Sequence, residues 1–414
     1  MRDRGPRIAF PFYACSDRAA PCIFPPGRVR NTEVRVRTKN ANIDWDRYRK
    51  EFPAAKRYVY FNHAAVSPLS TRVLEAMNAV SSGFLEKGIL CEEHVFGMVE
   101  SARKGAARLI GARSAEIAFI KNTTQGVLLA ASGIRWKRGD NLVMPSIEFP
   151  ANVYPWLGLE KRGVRVIQVK PREGRITAEM LGRACTARTR CVTVSSVQFS
   201  NGYRVDVAKL GRFCRERGIY LHVDGIQSLG MLRCDVRAMG IDFLSTGGHK
   251  WLLGPVGTGF FYCRRPLLDE LDVSNPGWRG VKNTWSFFDH DPTPRADAAR
   301  FEEGTLNLYG IAGLGASIDR FLEIGMANVE RRILGLAETL EEGLRSRGYL
   351  VTSPREGGER SGILCFRHPK KKTEALYEKL GAARVIVSHR SGAIRLAPHF
   401  YNTEEEAARL LDLL

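Results

Sequence analysis

The chain has 414 residues and a formal charge of +19, from 63 Lys and Arg against 44 Asp and Glu. Hydrophobic residues at 44% and charged residues at 26% supply a sizeable core, which excludes wholesale disorder. No apolar run reaches the roughly 20 residues of a membrane-spanning helix, and 40 glycines without a three-residue period exclude a collagen.

Residues 1–42 differ in character from the remainder of the chain. They hold nine Lys and Arg against three Asp and Glu, and Pro21, Pro25 and Pro26 break any helix. No apolar stretch of signal-peptide type comes after the basic start. The segment is expected to be a basic, disordered arm or an over-extended translation start. From residue 43 the pattern becomes globular. Val73, Leu74, Met77, Val80 and Phe84 recur at helical spacing and predict a helix over 70–87, with another over 92–110. A strand at 116–120 stops at Asn122-Thr123-Thr124, which opens a helix over 125–134. A strand at 141–145 and a helix near 151–162 come next. The β-branched runs 164–169 and 191–197 read as buried strands. A helix at 206–217 leads to strands at 219–224, 241–247 and 259–263.

Strands alternating with helices predict an α/β fold with a mostly parallel sheet covered on both faces. After about residue 300 a long helical region (310–347) precedes short strands and a final helix (403–413), the pattern of a smaller α+β domain. The expected division is an arm at 1–42, a large domain at 43–300 whose opening stretch can join the smaller one, and a small domain at 301–414. The cysteines Cys15, Cys22, Cys91, Cys185, Cys191, Cys214, Cys234, Cys263 and Cys365 form no CxxC and no zinc-type spacing with histidine. They are predicted to be free thiols of a cytoplasmic protein with no metal site. The basic charge outside the arm is spread and lacks the aromatic interleaving of a nucleic-acid module, so neither nucleic acid nor membrane is an expected partner.

In an open parallel sheet, ligands gather at the carboxyl ends of the strands. The polar residues just past predicted strands are Thr123 and Thr124, Glu148 with Phe149, Gln198, Asp224 with Gln227, and His249 with Lys250. A lysine between two glycines and a histidine on one side and an apolar, glycine-rich stretch on the other can be desolvated, which favours Schiff-base chemistry. Asp224 closes the preceding strand and could face a pyridinium nitrogen. Thr123 and Thr124 at a strand-to-helix junction could cup a phosphate, and the Phe149 ring could stack on a flat cofactor. No P-loop and no strand–GxGxxG–helix unit is present.

The order Thr123-Thr124, Glu148-Phe149, Asp224-Gly225-Ile226-Gln227, Gly248-His249-Lys250 resembles the class V aminotransferase family of pyridoxal 5'-phosphate (PLP) enzymes. That family includes cysteine desulfurases, kynureninases and isopenicillin N epimerase-like proteins. The likeness runs from Tyr60-Phe61-Asn62-His63-Ala64-Ala65 to Phe400-Tyr401-Asn402-Thr403. It implies the PLP-dependent transferase fold type I, with a seven-stranded large domain and a small domain, in a homodimer with shared active sites. It further implies Lys250 as the Schiff-base lysine, Asp224 as the partner of the ring nitrogen and Gln227 at the phenolate oxygen. Thr123, Thr124, Gln198 and His249 would belong to the cofactor site, Phe149 would stack on the ring, and Thr305 would reach the neighbouring subunit's phosphate. Arg395 would hold the carboxylate of an amino-acid substrate, with Asn62, His63, Trp278, Arg279 and Arg390 as candidates for selectivity.

Three departures stand out. Phe149 replaces the histidine usual in desulfurases. Gly247 replaces a common serine, so the phosphate cup would be rebuilt by Thr246 or backbone. The segment His389–Arg395 is short and carries no cysteine, whereas one desulfurase group has its nucleophilic cysteine on a longer loop there. Cys365 lies in a strand pattern and reads as a core thiol. The implied chemistry begins with Lys250 removing the substrate α-proton. Transamination is the leading expectation, with C–S or C–C bond cleavage or epimerisation as alternatives.

Overall fold

A computed structural model describes residues 43–414, and the expected arm at 1–42 lies outside the described residues. In chain order, α1 (Trp45–Arg49) and β1 (Val59–Tyr60) precede two long helices, α2 (Thr71–Lys87) and α3 (Glu92–Leu109). Ser70 caps α2 by accepting from the Val73 amide. Next come β2 (Ile117–Ile120), α4 (Thr123–Gly133), β3 (Asn141–Pro145), α5 (Tyr154–Leu157), β4 (Arg165–Val169), α6 (Ala178–Ala184), β5 (Thr189–Ser195), α7 (Val207–Glu216), β6 (Tyr220–Asp224), β7 (Phe243–Gly247) and β8 (Gly259–Cys263). These strands form one seven-stranded sheet in the order β2-β8-β7-β6-β5-β3-β4. All its pairings are parallel except the two made by β8. β2, β3, β5, β6 and β7 therefore end on the same edge of the sheet, where the chain delivers Thr123, Glu148, Gln198, Asp224 and Lys250.

The remainder is α8 (Leu308–Ile324), α9 (Met326–Ser346), β9 (Leu350–Val351), β10 (Leu364–Arg367), α10 (Thr373–Ala382), β11 (Val385–Ile386), β12 (Ser388–Arg390), β13 (Ala393–Leu396) and α11 (Glu404–Asp412). A four-stranded sheet runs β12-β13-β10-β9, and β1 pairs in parallel with β11. The opening stretch of the described chain thus packs with its end. Val59 and Phe61 share a core with Leu340, Phe366, Leu396 and Leu410. A separate core under the large sheet joins Ala130, Leu142, Trp156, Phe243 and Phe261. Full burial of each such large side chain contributes about 1.5–3 kcal/mol.

Several elements depart from the sequence reading. The helix expected near 151–162 is a series of short turns, Pro150–Asn152, Tyr154–Leu157 and Gly158–Arg162, because Pro150 and Pro155 remove amide donors in mid-run. The run 164–169 is not a buried strand. β4 is the sheet's edge, and Arg165 and Gln168 are exposed on it. The long helical region is two helices, because Gly325 (φ 84°) ends α8 and starts α9. α6, capped by Thr177, carries no periodicity strong enough to have announced it.

Candidate active site

Five strand ends converge on a cavity of about 540 Å³. Its lining includes Ala64, Ala65 and Val66 from the loop after β1, Thr123 and Thr124 at the start of α4, Phe149, Asp224 and Gln227, His249 and Lys250, and Arg390 and Arg395. Asn122 caps α4 by accepting from the Gln125 amide at 3.0 Å. The first α4 amides therefore point at the cavity without intrahelical partners, an arrangement that attracts anions. The buried Thr123 Oγ1 has no hydrogen-bond partner among the described residues. A phosphate at this position would satisfy it.

Lys250 is held by its backbone. Ser67 Oγ donates to the Lys250 carbonyl at 2.6 Å, and the Ser67 amide donates to the His249 carbonyl at 2.9 Å. His399 Nε2 lies 2.9 Å from the Trp251 carbonyl. The Lys250 Nζ sits 5.4 Å from the centre of the Phe149 ring, which is open to the cavity. Burial pushes the ammonium pKa down. Asp224 opposes this, and the charges of Arg395 and Arg390 reinforce it. Asp224 is buried at the end of β6 and accepts from the Ile226 amide at 2.9 Å. Burial pushes its carboxyl up, and nearby Glu148 adds to the shift. A cation beside Asp224 would reverse this.

Glu148 stands behind the cavity. It accepts from the Ser195 amide, Gln198 Nε2 and Asn152 Nδ2 at 2.8–3.0 Å, and from the Ser195 hydroxyl. Burial raises its pKa. Four donors on two oxygens nevertheless leave no acceptor for a carboxyl proton and favour the carboxylate. The polar chain continues from Asn152 through Thr193 and His222 to Ser245. Gln227 is aimed by two bonds: it donates to the Ala64 carbonyl at 3.0 Å and accepts from Trp251 Nε1 at 2.9 Å. One amide hydrogen remains for the cavity. Arg395 Nη1 donates to the Phe199 carbonyl at 2.7 Å. Among the described residues it meets no carboxylate, and its Nε is buried without a partner. Burial lowers its pKa to about 10, which leaves it charged at neutral pH.

Other expected site residues lie elsewhere. Gln198 is fully buried against Glu148 and does not line the cavity. Asn62 accepts from Ser388 Oγ and does not line the cavity. His63 is locked in the core. Its Nδ1 must donate to the Ala397 carbonyl at 2.7 Å, so its Nε2 accepts from the Tyr401 hydroxyl at 2.7 Å. Thr246 is buried, bonds to the neighbouring Gly247 carbonyl and does not line the cavity. Thr305 lines a different depression with Lys121, Gln125 and Glu303. Trp278 and Arg279 stack on each other away from the cavity lining. Ser67 and Phe199 were missed, since nothing in their sequence neighbourhood marks them.

A profile of the family described as Aminotransferase class-V matches residues 59–410. The chain belongs to that family. The class V match is supported along the sequence by a probable cysteine desulfurase of Methanothermobacter thermautotrophicus, 33% identical over 394 residues, which cover 88% of this chain and 96% of the relative. Among solved structures, an apo cysteine desulfurase of Thermococcus onnurineus NA1 superimposes with a TM-score of 0.79 at 26% identity, over 88% of this chain and 96% of that one. The cystine C–S lyase C-DES, solved with its product cysteine persulfide, gives 0.80 at 25% identity, over 87% and 98% of the two chains. A C-DES variant with glycine covalently linked to PLP shares the fold, with a TM-score of 0.81 at 24% identity over 88% and 98%. The seven-stranded, mostly parallel architecture is that of fold type I. This class V protein is a PLP-dependent enzyme, and pyridoxal 5'-phosphate is its cofactor.

Proposed function

We propose that this enzyme removes the α-proton of an amino acid with Lys250 and runs a transamination. One observation carries the reading: a half-buried lysine with a lowered pKa and a buried guanidinium without a carboxylate partner among the described residues face the same cavity. Lys250 would attach the cofactor covalently as a Schiff base. Thr123, Thr124 and the α4 amides would hold its phosphate, with His249 beside them. Phe149 would cover one face of its ring, Asp224 would keep a proton on the ring nitrogen, and Gln227 would donate to the ring oxygen. When bound, PLP supplies an electrophilic aldehyde and a ring that draws charge from the substrate α-carbon.

Arg395 would fix the substrate carboxylate through two parallel charge-assisted bonds. That orients the α-hydrogen toward Lys250 Nζ. A lowered pKa keeps a neutral amine available to take the proton and return it. The open Phe149 and Arg390 side of the cavity leaves a path for solvent and a second substrate.

A second reading, cleavage of a C–S bond, is favoured by the relatives described as cysteine desulfurase and as cystine C–S lyase. No cysteine lines the cavity among the described residues. Cys365 is buried opposite Arg395 in the β10–β13 pair, contacts the Ser200 carbonyl at 3.3 Å, and burial pushes its thiol up to about 11. A sulfur relay through a protein thiol is disfavoured among the described residues, whereas cleavage that releases a small sulfur product needs none. A screen of amino acids against the holoenzyme decides between the two. Oxo-acid formation that stops without an amino acceptor supports transamination. Ammonia and pyruvate, with sulfide released from cysteine or cysteine persulfide from cystine, would replace it with the lyase.

A homodimer is part of the proposal. Thr305 lies apart from the chain's own Lys250 cavity, where the family likeness has this threonine serving a neighbour. Leu85, Ile89, Leu90 and Phe288 expose apolar surface suited to burial against a second copy. The division into a large part (43–300), whose opening stretch joins the small part through Val59 and Phe61, and a small part (301–414) is proposed on the two separate cores, with Phe301 at the boundary still packed in the large one. A cytoplasmic setting is proposed on the free cysteines among the described residues.

A further inference from the structure

Arg395 is not the only guanidinium that meets the cavity without an anion. In the β12–β13 hairpin, Ser388 lies opposite Arg395 and Arg390 opposite Ala393. Opposed residues of an antiparallel pair share a face, and every second residue along a strand returns to it. Arg390 and Arg395 therefore project from one face, on the diagonal, with backbones about 7–8 Å apart. The turn fixes this register. Ser391 (φ 47°) and Gly392 (φ 73°) adopt the left-handed pair of a two-residue hairpin loop. A slip of one residue would send one of the two arginines to the far side. Ala393, opposite Arg390, is too small to compete for the space.

Both arginines line the Lys250 cavity, and the charges of both are felt at the lysine. Arg390 is exposed at the mouth. Its hydrogen bond is a 3.3 Å contact to the adjacent His389 carbonyl, and no carboxylate among the described residues lies within ion-pair distance of it. Among the described residues, the cavity lining holds Lys250, Arg390 and Arg395 against a single carboxylate, Asp224. In the proposed reaction Asp224 faces the cofactor ring, the cofactor phosphate sits at α4, and the α-carboxylate takes Arg395. Arg390 remains as a cation with no assigned partner, placed beyond the α-carboxylate toward solvent.

We propose that the substrate carries a second carboxylate and that Arg390 binds it, so that the enzyme selects acidic α-amino acids and the matching dicarboxylic oxo acids over monocarboxylic ones. This rests on the reading of Lys250 and Arg395 as an amino-acid site. A guanidinium fork suits the task because it pairs with a carboxylate in a fixed plane. A distal carboxylate is also present in cystine, so both length classes belong in the test.

The test uses the holoenzyme and begins with unreactive probes. Calorimetric titration with succinate and glutarate, against butyrate as the monocarboxylate, measures binding without turnover. The wild-type protein is expected to prefer the dicarboxylates. In Arg390→Gln the ratio of dicarboxylate to butyrate affinity is expected to fall at least about tenfold, and Arg390→Lys should restore part of it. The kcat/KM ratios of aspartate, glutamate and cystine to alanine should fall in parallel, and the one that falls most reports the length of the substrate. An unchanged affinity ratio in Arg390→Gln, or no wild-type preference for dicarboxylates, overturns the inference. These results are separable from failure of the underlying reading. In that case no amino acid alters the cofactor's visible absorbance, while the dicarboxylate titration still reads Arg390.

Discussion

Lys250 and Asp224 were legible in the sequence because each closes or follows a strand of a parallel sheet, and strand ends are where such a sheet meets its ligands. Arg395 was legible only through the likeness to a family, since a lone arginine in a strand says nothing of what it faces. Gln198 misled for the same reason that Lys250 did not. It too follows a strand, but Glu148 takes its amide and turns it away from the cavity. Three substitutions test the assigned roles. Lys250→Ala is expected to lose covalent attachment of the cofactor and its visible absorbance, with activity reduced to background, checked by spectrum and by release of PLP on gel filtration. Asp224→Asn keeps the shape but removes the charge facing the ring nitrogen. Turnover should fall by about 10²-fold or more while PLP still binds, as single-turnover rates would show. Cys365→Ala should leave turnover with every substrate unchanged, and loss of sulfur release in that variant would reinstate the thiol.

At the scale of elements, the start of α4 and the junction beneath it organise the site. Asn122→Ala removes the helix cap and should cost about 1 kcal/mol of stability in urea unfolding, with weaker retention of PLP because the same turn faces the phosphate position. Arg103 on α3 joins the buried Glu302 carboxylate at 2.7 Å and the Ile117 carbonyl at 2.8 Å, while the Phe119 amide donates to the same carboxylate at 2.8 Å. This knot ties α3, β2 and the segment leading to Thr305. Arg103→Met leaves Glu302 buried without its cation and should cost about 3–5 kcal/mol in the same assay. The strands of the large sheet were readable in nearly every case, since β-branched runs bounded by turn residues carry their own signal. Their depth was not. β4 and β5 look alike as strings, and only the sheet order makes one an edge and the other a centre.

For the whole molecule, the buried histidines link stability to pH. Burial lowers His63 and His222 to about 3 from an ordinary 6.5. The unfolded chain therefore takes up protons that the folded chain refuses. Their contribution is complete above pH 6.5 and is lost as pH falls toward 3, by about 2 kcal/mol per histidine at pH 5. Asp224 acts in the opposite sense in cofactor-free protein. Its raised carboxyl stabilises below the ordinary aspartate range, and that help is lost as pH rises through the folded value of about 7. Removing PLP should therefore flatten the profile between pH 5 and 7, measured as urea midpoints of holo and apo protein across that range.

The turn at Ser391-Gly392 also limits how the reaction can end. A loop of two residues in a fixed register cannot swing a reactive atom into the cavity and out again. Any fragment that leaves the substrate on that side finds no covalent carrier on the hairpin. Its way out on that side would run past the exposed guanidinium of Arg390.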